Sequence, residues 1–518
     1  MNKSMKQLTQ FAACALAALS VVACSSEDSA QQDNAKQNTA KGVATFDGSQ
    51  PSNDTRALTR TTATYTLGGD AKVFWTSADK IFVQDDANTF HQSGAANLYN
   101  PSNKAKAIFS LASGSFTLNN REVRYTGENG TDANTVTIAS TQTQTTANNF
   151  SHLGTSGDCG TATATGSNGN YTFTLNHKAS YLCFVPRCMN TDLGPNIKLT
   201  KIKVTANQPI AGKYDFSTGS LAQKAGETYS NTVTLNTSDF SLNTTTSSLA
   251  TNGAYMVVAP GTYNFTITYT IKDPTTNVEG DIVKTISGYN CQEGKINDIT
   301  ANLTPTNYDA NNYYMWDAQQ PYWKGYEWYH KNATWQPTII GNTSNYYPQS
   351  GSDNRFYNVN IVYGRYDAVA SCVIAPNVNE LTWYCMKGDP HWDADQLWTA
   401  MGHLYKGGMW LKKHNNIAGF SKEFSYDGST DFRVNYANCN NVPLQGNPVS
   451  SQISQYFFLP ALGHYFNGKL YNIGGHGSYW TSSTKSTDGE ACYLGFSQYD
   501  IGVNSRPRDT GFIVQKFE

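Results

Sequence analysis

Charge is scarce in this chain. Asp, Glu, Lys and Arg make up 15% of its 518 residues, against roughly 25% in ordinary soluble domains. The net charge of −2 leaves no basic excess, which argues against a nucleic-acid partner. No Cys-x-x-Cys pair occurs, so zinc ribbons are excluded. There is no HExxH, no GxSxG and no P-loop, and no constellation calls for a cofactor, a metal or an enzymatic activity. Beyond the N-terminus no apolar run approaches the length of a membrane span. What abounds instead is aromatic: 13% of residues, with 32 Tyr and 10 Trp, set among Ser, Thr and Asn. Aromatics on this scale fill cores, which argues against wholesale disorder. The combination suits a β-rich extracellular protein of about two to four domains.

The N-terminus addresses the compartment. Lys3 and Lys6 precede a short apolar run, Phe11 to Ala23, which ends in Val21-Val22-Ala23-Cys24. The run is short for a bilayer span and fits a cleaved signal over residues 1–24. Its end resembles a bacterial lipobox, which implies acylation of Cys24 and anchoring to outer-membrane lipid. Ser25-Ser26-Glu27-Asp28 resembles the surface-export signal of Bacteroidota-type lipoproteins, implying a place at the cell surface. Residues 25–60 are rich in Gln, Asn, Ala, Ser, Asp and Lys, and read as a flexible tether. Of ten cysteines, eight lie beyond Cys24, thinly spread. They suit either disulfides or buried small hydrophobes.

From Thr61 the pattern becomes strand-like. Thr62 to Leu67 alternates, and Lys72-Val73-Phe74-Trp75 leads into Asp79-Lys80-Ile81-Phe82-Val83. Further runs at Thr135–Ile138, Tyr171–Leu175, Tyr181–Val185 and Lys198–Val204 complete a first β-sandwich over 61–222. A second set covers 223–305, with the strict alternation Phe265-Ile267-Tyr269 as its clearest strand. His177 has no metal partner nearby and reads as structural. Trp75 with DKI-x-V, Leu175-Asn176-His177-Lys178-Ala179-Ser180, Ile210-Ala211-Gly212, Val258-Ala259-Pro260 and Gly294-Lys295-Ile296 resemble, in order and spacing, the fimbrillin family. These are pilus and pilus-tip lipoproteins of Bacteroidota. The resemblance implies two tandem β-sandwiches, trimming after an Arg, and a groove that accepts a strand from the next subunit. Other pilins would then be partners through donor-strand exchange. Arg56 and Arg60 are the candidate trimming sites.

Residues 306–518 form a third domain, holding nine of the ten Trp. Asn377 followed by Glu380 is a capping-box arrangement, predicting a helix that Gly388 ends. Asp393 to Met401 is expected to be a second helix, with Leu397, Trp398 and Met401 as its apolar stripe. Short strands between Asn467-Gly468, Gly474-Gly475 and Asp488-Gly489 turns follow. Asn379-Glu380-Leu381, Gly407-Gly408-Met409-Trp410, Leu459-Pro460-Ala461-Leu462-Gly463, Tyr479-Trp480-Thr481-Ser482-Ser483 and Gly511-Phe512-Ile513-Val514 resemble the C-type-lectin-like fold in its Fibrobacter-type major paralogous form. Gln515 stands where that family has Arg. The expected architecture is therefore mainly β: two tandem β-sandwiches followed by an α+β C-type-lectin-like domain.

The calcium-binding tripeptides of sugar-binding lectins, Glu-Pro-Asn, Gln-Pro-Asp and Trp-Asn-Asp, do not occur in this domain. Any ligand must be held by side chains on or between the last strands. Tyr493, Tyr499, Asp500, Asn504, Arg506 and Arg508 are the candidates, because Tyr and Arg dominate binding hot spots. His464 and His476 fall in the same turn-rich block, and Trp480 reads as core. The expected function is a surface-anchored or pilus-tip adhesin presenting a ligand-binding domain to a carbohydrate or protein. The alternatives are a structural pilus component without a ligand and a glycan-acting surface enzyme.

Overall fold

The Thr-, Val- and aromatic-rich stretches from Thr135 onward become strands, whereas the described part of Thr62 to Leu67 and Phe74-Trp75 lie in no strand; the protein is mainly β. The computed structural model describes residues 43–50, 65–69, 74–100, 103–361, 367–485 and 489–518. Cys24, Arg56 and Arg60 lie outside the described residues. Among those described, no helix is long and apolar enough to cross a membrane.

The first sheet is organised around three neighbours: β1 (Ala44–Ser49), β2 (Asn103–Leu111) and β3 (Asn170–Thr174). β1 lies between the other two, antiparallel to β2 and parallel to β3. Residues 44–49 belong to the stretch expected to be a tether, and that expectation is corrected here. Ala44, Phe46 and Gly48 alternate onto the buried face. Phe46 stacks on Tyr171 at 4.7 Å and meets Phe116 edge-on at 5.6 Å. At Gly48 a Cβ would sit 2.5 Å from the Phe173 ring, so only glycine fits between the strands. Trp75 closes the core, edge-on to Phe109 and Tyr125, and its Nε1 donates to the Gly48 carbonyl at 3.1 Å. Just past β1, the backbone N–H of Gln50 donates to Ala105. Its side-chain oxygen lies 2.9 Å from His177 Nε2, while His177 Nδ1 lies 2.8 Å from Asp158.

A second core draws most of its residues from Ala179 to Leu303, joined by Tyr65, Val136, Ile138, Phe150, Leu153 and Cys159 from earlier in the chain. Its largest sheet pairs Val278–Cys291, Gly261–Asp273, Lys198–Ala206, Thr232–Ser241 and Thr141–Gln144 in that order. The alternation read at Phe265, Ile267 and Tyr269 places all three rings and side chains inside. The expected division at 222/223 does not coincide with the break between cores, because Lys198–Ala206 on one side of it pairs with Thr232–Ser241 on the other. Two earlier strands, Thr135–Ile138 and Thr141–Gln144, also join this second region. Gln142 and Gln144 are buried and act as extra rungs. Gln142 accepts from Val257 N–H and donates to Val257 C=O; Gln144 accepts from Tyr255 N–H and donates to Gly253 C=O. Pairings this distant in sequence leave no trace in composition.

In the C-terminal region the helix Val378–Lys387 forms as the capping box predicts, with Asn377 and Glu380 exchanging both bonds and Gly388 at its end. The second helix does not form. Residues His391–Ala400 are instead strand β4, paired antiparallel with β5 (His403–Lys412). Two features explain the error. Asp393 Oδ1 accepts from the N–H groups of Asp395 and Gln396. That bonding resembles a helix N-cap but here folds a bulge between Asp393 and Leu397. Met401 and Gly402 then make a two-residue hairpin turn, both at positive φ (52° and 75°).

This hairpin docks on the preceding region. Leu397 and Leu404 enter its core, and a Cβ on Gly280 would lie 2.7 Å from Leu397. Asp273, fully buried, accepts from His403 Nδ1 at 2.9 Å and from the Leu404 N–H at 3.1 Å. These bonds outweigh desolvation and hold its carboxyl below the usual range. Asn196 adds a bond to the Gly402 carbonyl at 2.7 Å.

Two outcomes follow. Phe46→Ala empties a ring-sized space in the middle of the first sheet and lowers stability by about 3–5 kcal/mol in denaturant titration. Asp273→Ala leaves His403 and the Leu404 N–H without their acceptor and costs about 3 kcal/mol, whereas Asp273→Asn keeps an acceptor oxygen and loses less. Differential scanning calorimetry of the two variants checks the order.

Candidate ligand-binding site

The site is built on three antiparallel strands: β6 (Gly477–Thr484), β7 (Glu490–Phe496) and β8 (Ile501–Pro507). One face carries Tyr479, Cys492, Leu494, Phe496, Ile501 and Val503 into the core. The register sets the other face. Trp480, Tyr493 and Asn504 form one row across the strands, and Ser478, Gly495 and Gly502 form the next. In the second row Ser478 and Gly495 line the site, while the space over Gly502 is taken by the side chains of Asn440 and Asn504. A Cβ on Gly495 would come within 2.9 Å of the Tyr493 ring. Trp480 is buried, as expected for core, packed at 4.4 Å on Phe512 and donating to the Tyr314 carbonyl.

A hairpin forms the wall. His464–Phe466 and Lys469–Tyr471 pair across Asn467-Gly468, both residues at positive φ. The His464 ring stacks on Tyr471 at 5.3 Å and meets Phe512 edge-on at 5.6 Å. Floor and wall enclose an open pocket of about 580 Å³, within the usual range for small-ligand sites.

Of the six candidates, Tyr493, Asp500, Asn504 and Arg506 line this pocket. Tyr499 does not: it projects from the turn before β8 and is 76% exposed. Arg508 is buried beside the pocket floor, its guanidinium 5.1 Å over the Trp316 ring and donating to the Ile361 carbonyl at 3.0 Å. His464 and His476 line the pocket, and so do Asn472, Ser478 and Phe512. Sequence reasoning passed over the last three. The available signal was one glycine, Gly495, inside an otherwise strand-like run.

The electrostatics are uneven. Asp500 sits just before β8 and accepts from the Ser497 hydroxyl at 2.6 Å. Arg506 lies at the far end of β8, exposed, and among the described residues no carboxylate pairs with it. The nearby Glu490 is engaged by Ser505 and Lys485. Burial, with the Arg506 charge and His476 as lesser causes, pushes His464 down to about 4. His464 is therefore neutral near pH 7, and its buried Nδ1 has no protein partner. Among the described residues no group of three or more His, Cys, Asp or Glu is placed to hold a metal ion.

The His464 shift has a thermodynamic consequence. Below about pH 6.5 the unfolded chain takes up a proton that the folded chain refuses until about pH 4. Stability from this group is intact above that window and falls as pH drops through it. His464→Asn removes the group, so the unfolding midpoint of the variant declines less between pH 6.5 and 4 than that of the parent.

No protein family and no curated protein matches the chain. Solved structures do show likeness. A candidate cell adhesion protein from Bacteroides ovatus aligns over 50% of this chain and 93% of its own, with 14% identity and a TM-score of 0.31. One from Bacteroides uniformis aligns over 50% and 94%, with 16% identity and a TM-score of 0.30. A candidate polysaccharide-binding protein from Bacteroides thetaiotaomicron aligns over 50% and 90%, with 7% identity and a TM-score of 0.23. With TM-scores below 0.5, these likenesses carry no conclusion about what this protein does.

Proposed function

We propose that the protein is a surface-anchored or pilus-tip adhesin. In this reading the N-terminal lipid at Cys24 holds the precursor in the outer membrane until it is cut, residues up to about 305 are fimbrillin-like β-sandwiches, and residues 306–518 are a C-type-lectin-like domain that binds a ligand in the pocket on β6 to β8. The observation that carries the reading is the position of β1. It is a central strand of the first sheet, yet it precedes both Arg56 and Arg60 in the chain. A cut after either Arg severs β1 from everything it pairs with. Its departure opens facing edges on β2 and β3, and an extended segment from another subunit satisfies both by strand addition.

The pocket supports binding over chemistry. It offers one carboxylate, Asp500, where glycoside hydrolysis uses a pair. The eight cysteines among the described residues are buried, and burial raises the thiol of Cys492. The second reading, a structural pilus component, draws on the same β1 and makes the pocket incidental.

The test compares cells carrying the parent chain, the Arg56→Ala/Arg60→Ala double variant and a chain lacking 306–518. The adhesin reading expects the mature parent to begin after Arg56 or Arg60, as read by mass spectrometry. It expects the double variant to keep β1 and stay out of assemblies, and the truncated chain to assemble but lose adherence per pilus. Mature protein that retains Ala44–Ser49 sinks the strand-exchange part. Unchanged adherence after truncation leaves only the structural reading.

A further inference from the structure

We propose that the pocket on β6 to β8 takes a carboxylate-bearing saccharide, with Arg506 gripping the carboxylate. The proposal rests on the adhesin reading above and names the class of ligand at that site. Three observations meet there. First, Arg506 is an exposed guanidinium without a carboxylate partner among the described residues, at the rim of a concave site. A guanidinium presents parallel N–H donors that match a carboxylate in a fork, and it stays charged at every accessible pH. The acid within the same pocket, Asp500, is at the other end of β8 and bonded to Ser497, so it neither neutralises Arg506 nor repels an anion held there.

Second, the polar lining also includes amides and hydroxyls, groups that both donate and accept. Asn472, Asn504, Ser478 and Thr510 lie around the space. An apolar occupant would strand these groups, whereas a ring bearing several hydroxyls satisfies them. Third, the walls are aromatic. Phe466 and Tyr493, both partly exposed in the lining, offer apolar ring surface against which the C–H face of a pyranose packs. Ser478 and Gly495 lie side by side at the floor of the space. A carboxylate on a polyhydroxylated ring uses the cation, the neutral donors and acceptors, and the aromatic wall together.

The experiment is calorimetric titration of the intact chain, at about pH 7 and low salt, with trigalacturonic acid and with its neutral counterpart, galactotriose. A short acidic peptide, triglutamate, is the third ligand. The acidic sugar is expected to bind about tenfold or more tightly than the neutral one, and added salt to narrow the gap. Arg506→Gln should bring the acidic sugar down to the neutral sugar's affinity, and Arg506→Lys, which keeps the charge but loses the fork, should fall between. Thermal unfolding of each variant at the parental midpoint excludes misfolding, since Arg506 is exposed and supports no core. Equal affinity for the two sugars, or an Arg506→Gln variant that keeps the preference, overturns the proposal. Binding of triglutamate without either sugar also overturns it while leaving the site intact. Absence of binding by all three sinks the ligand-site reading itself along with the proposal.

Discussion

The N-terminal half depends on one constraint: buried peptide groups must be paired. β1 meets that constraint for both its neighbours at once, exchanging rungs with β2 on one side and β3 on the other. Phe46 supplies the packing that goes with those rungs, and Trp75 ties the strand to the rest of the core through its backbone. Strand and sheet are thus mutually required, although they are joined in sequence only through the stretch that contains Arg56 and Arg60. The Gln50–His177–Asp158 series extends the same tie beyond the strand's end. It links the first segment of the described chain to the junction where the first core passes to the second.

Local chemistry was legible where it acts locally. The helix after Asn377 could be read because a capping box needs only residues three apart. The strand through Phe265, Ile267 and Tyr269 could be read because a half-buried strand alternates with period two. The stretch Asp393–Met401 misled because an Asx bond is the same at a bulge and at a helix start. Which one forms is decided by the partner strand, His403–Lys412, beyond a turn whose positive φ at Met401 no pattern announces. The division of the first two regions was illegible for a related reason. Thr135–Ile138 and Thr141–Gln144 belong by sequence to one region and by pairing to the next.

The candidate site divides along the same line. Asn504 and Arg506 share a face because they are two residues apart in one strand, and that much follows from parity. Arg508 breaks the series. The strand ends at Pro507, a turn closed by Thr510 N–H to Pro507 C=O follows, and the guanidinium swings onto Trp316. Tyr499 precedes the strand and escapes the face altogether. The hollow itself needed the register between strands, since only that sets Ser478 beside Gly495.

The direction of β1 matters when the molecule is pulled. Tension applied at Val43 along the axis of Ala44–Ser49 runs parallel to the strand and across its hydrogen bonds, which lie roughly perpendicular to it in the antiparallel pair. The rungs to β2 and β3 then share the load in shear and must fail together, whereas peeling would break them one by one. A segment seated as β1 is seated therefore resists stretching far better than its equilibrium affinity alone suggests.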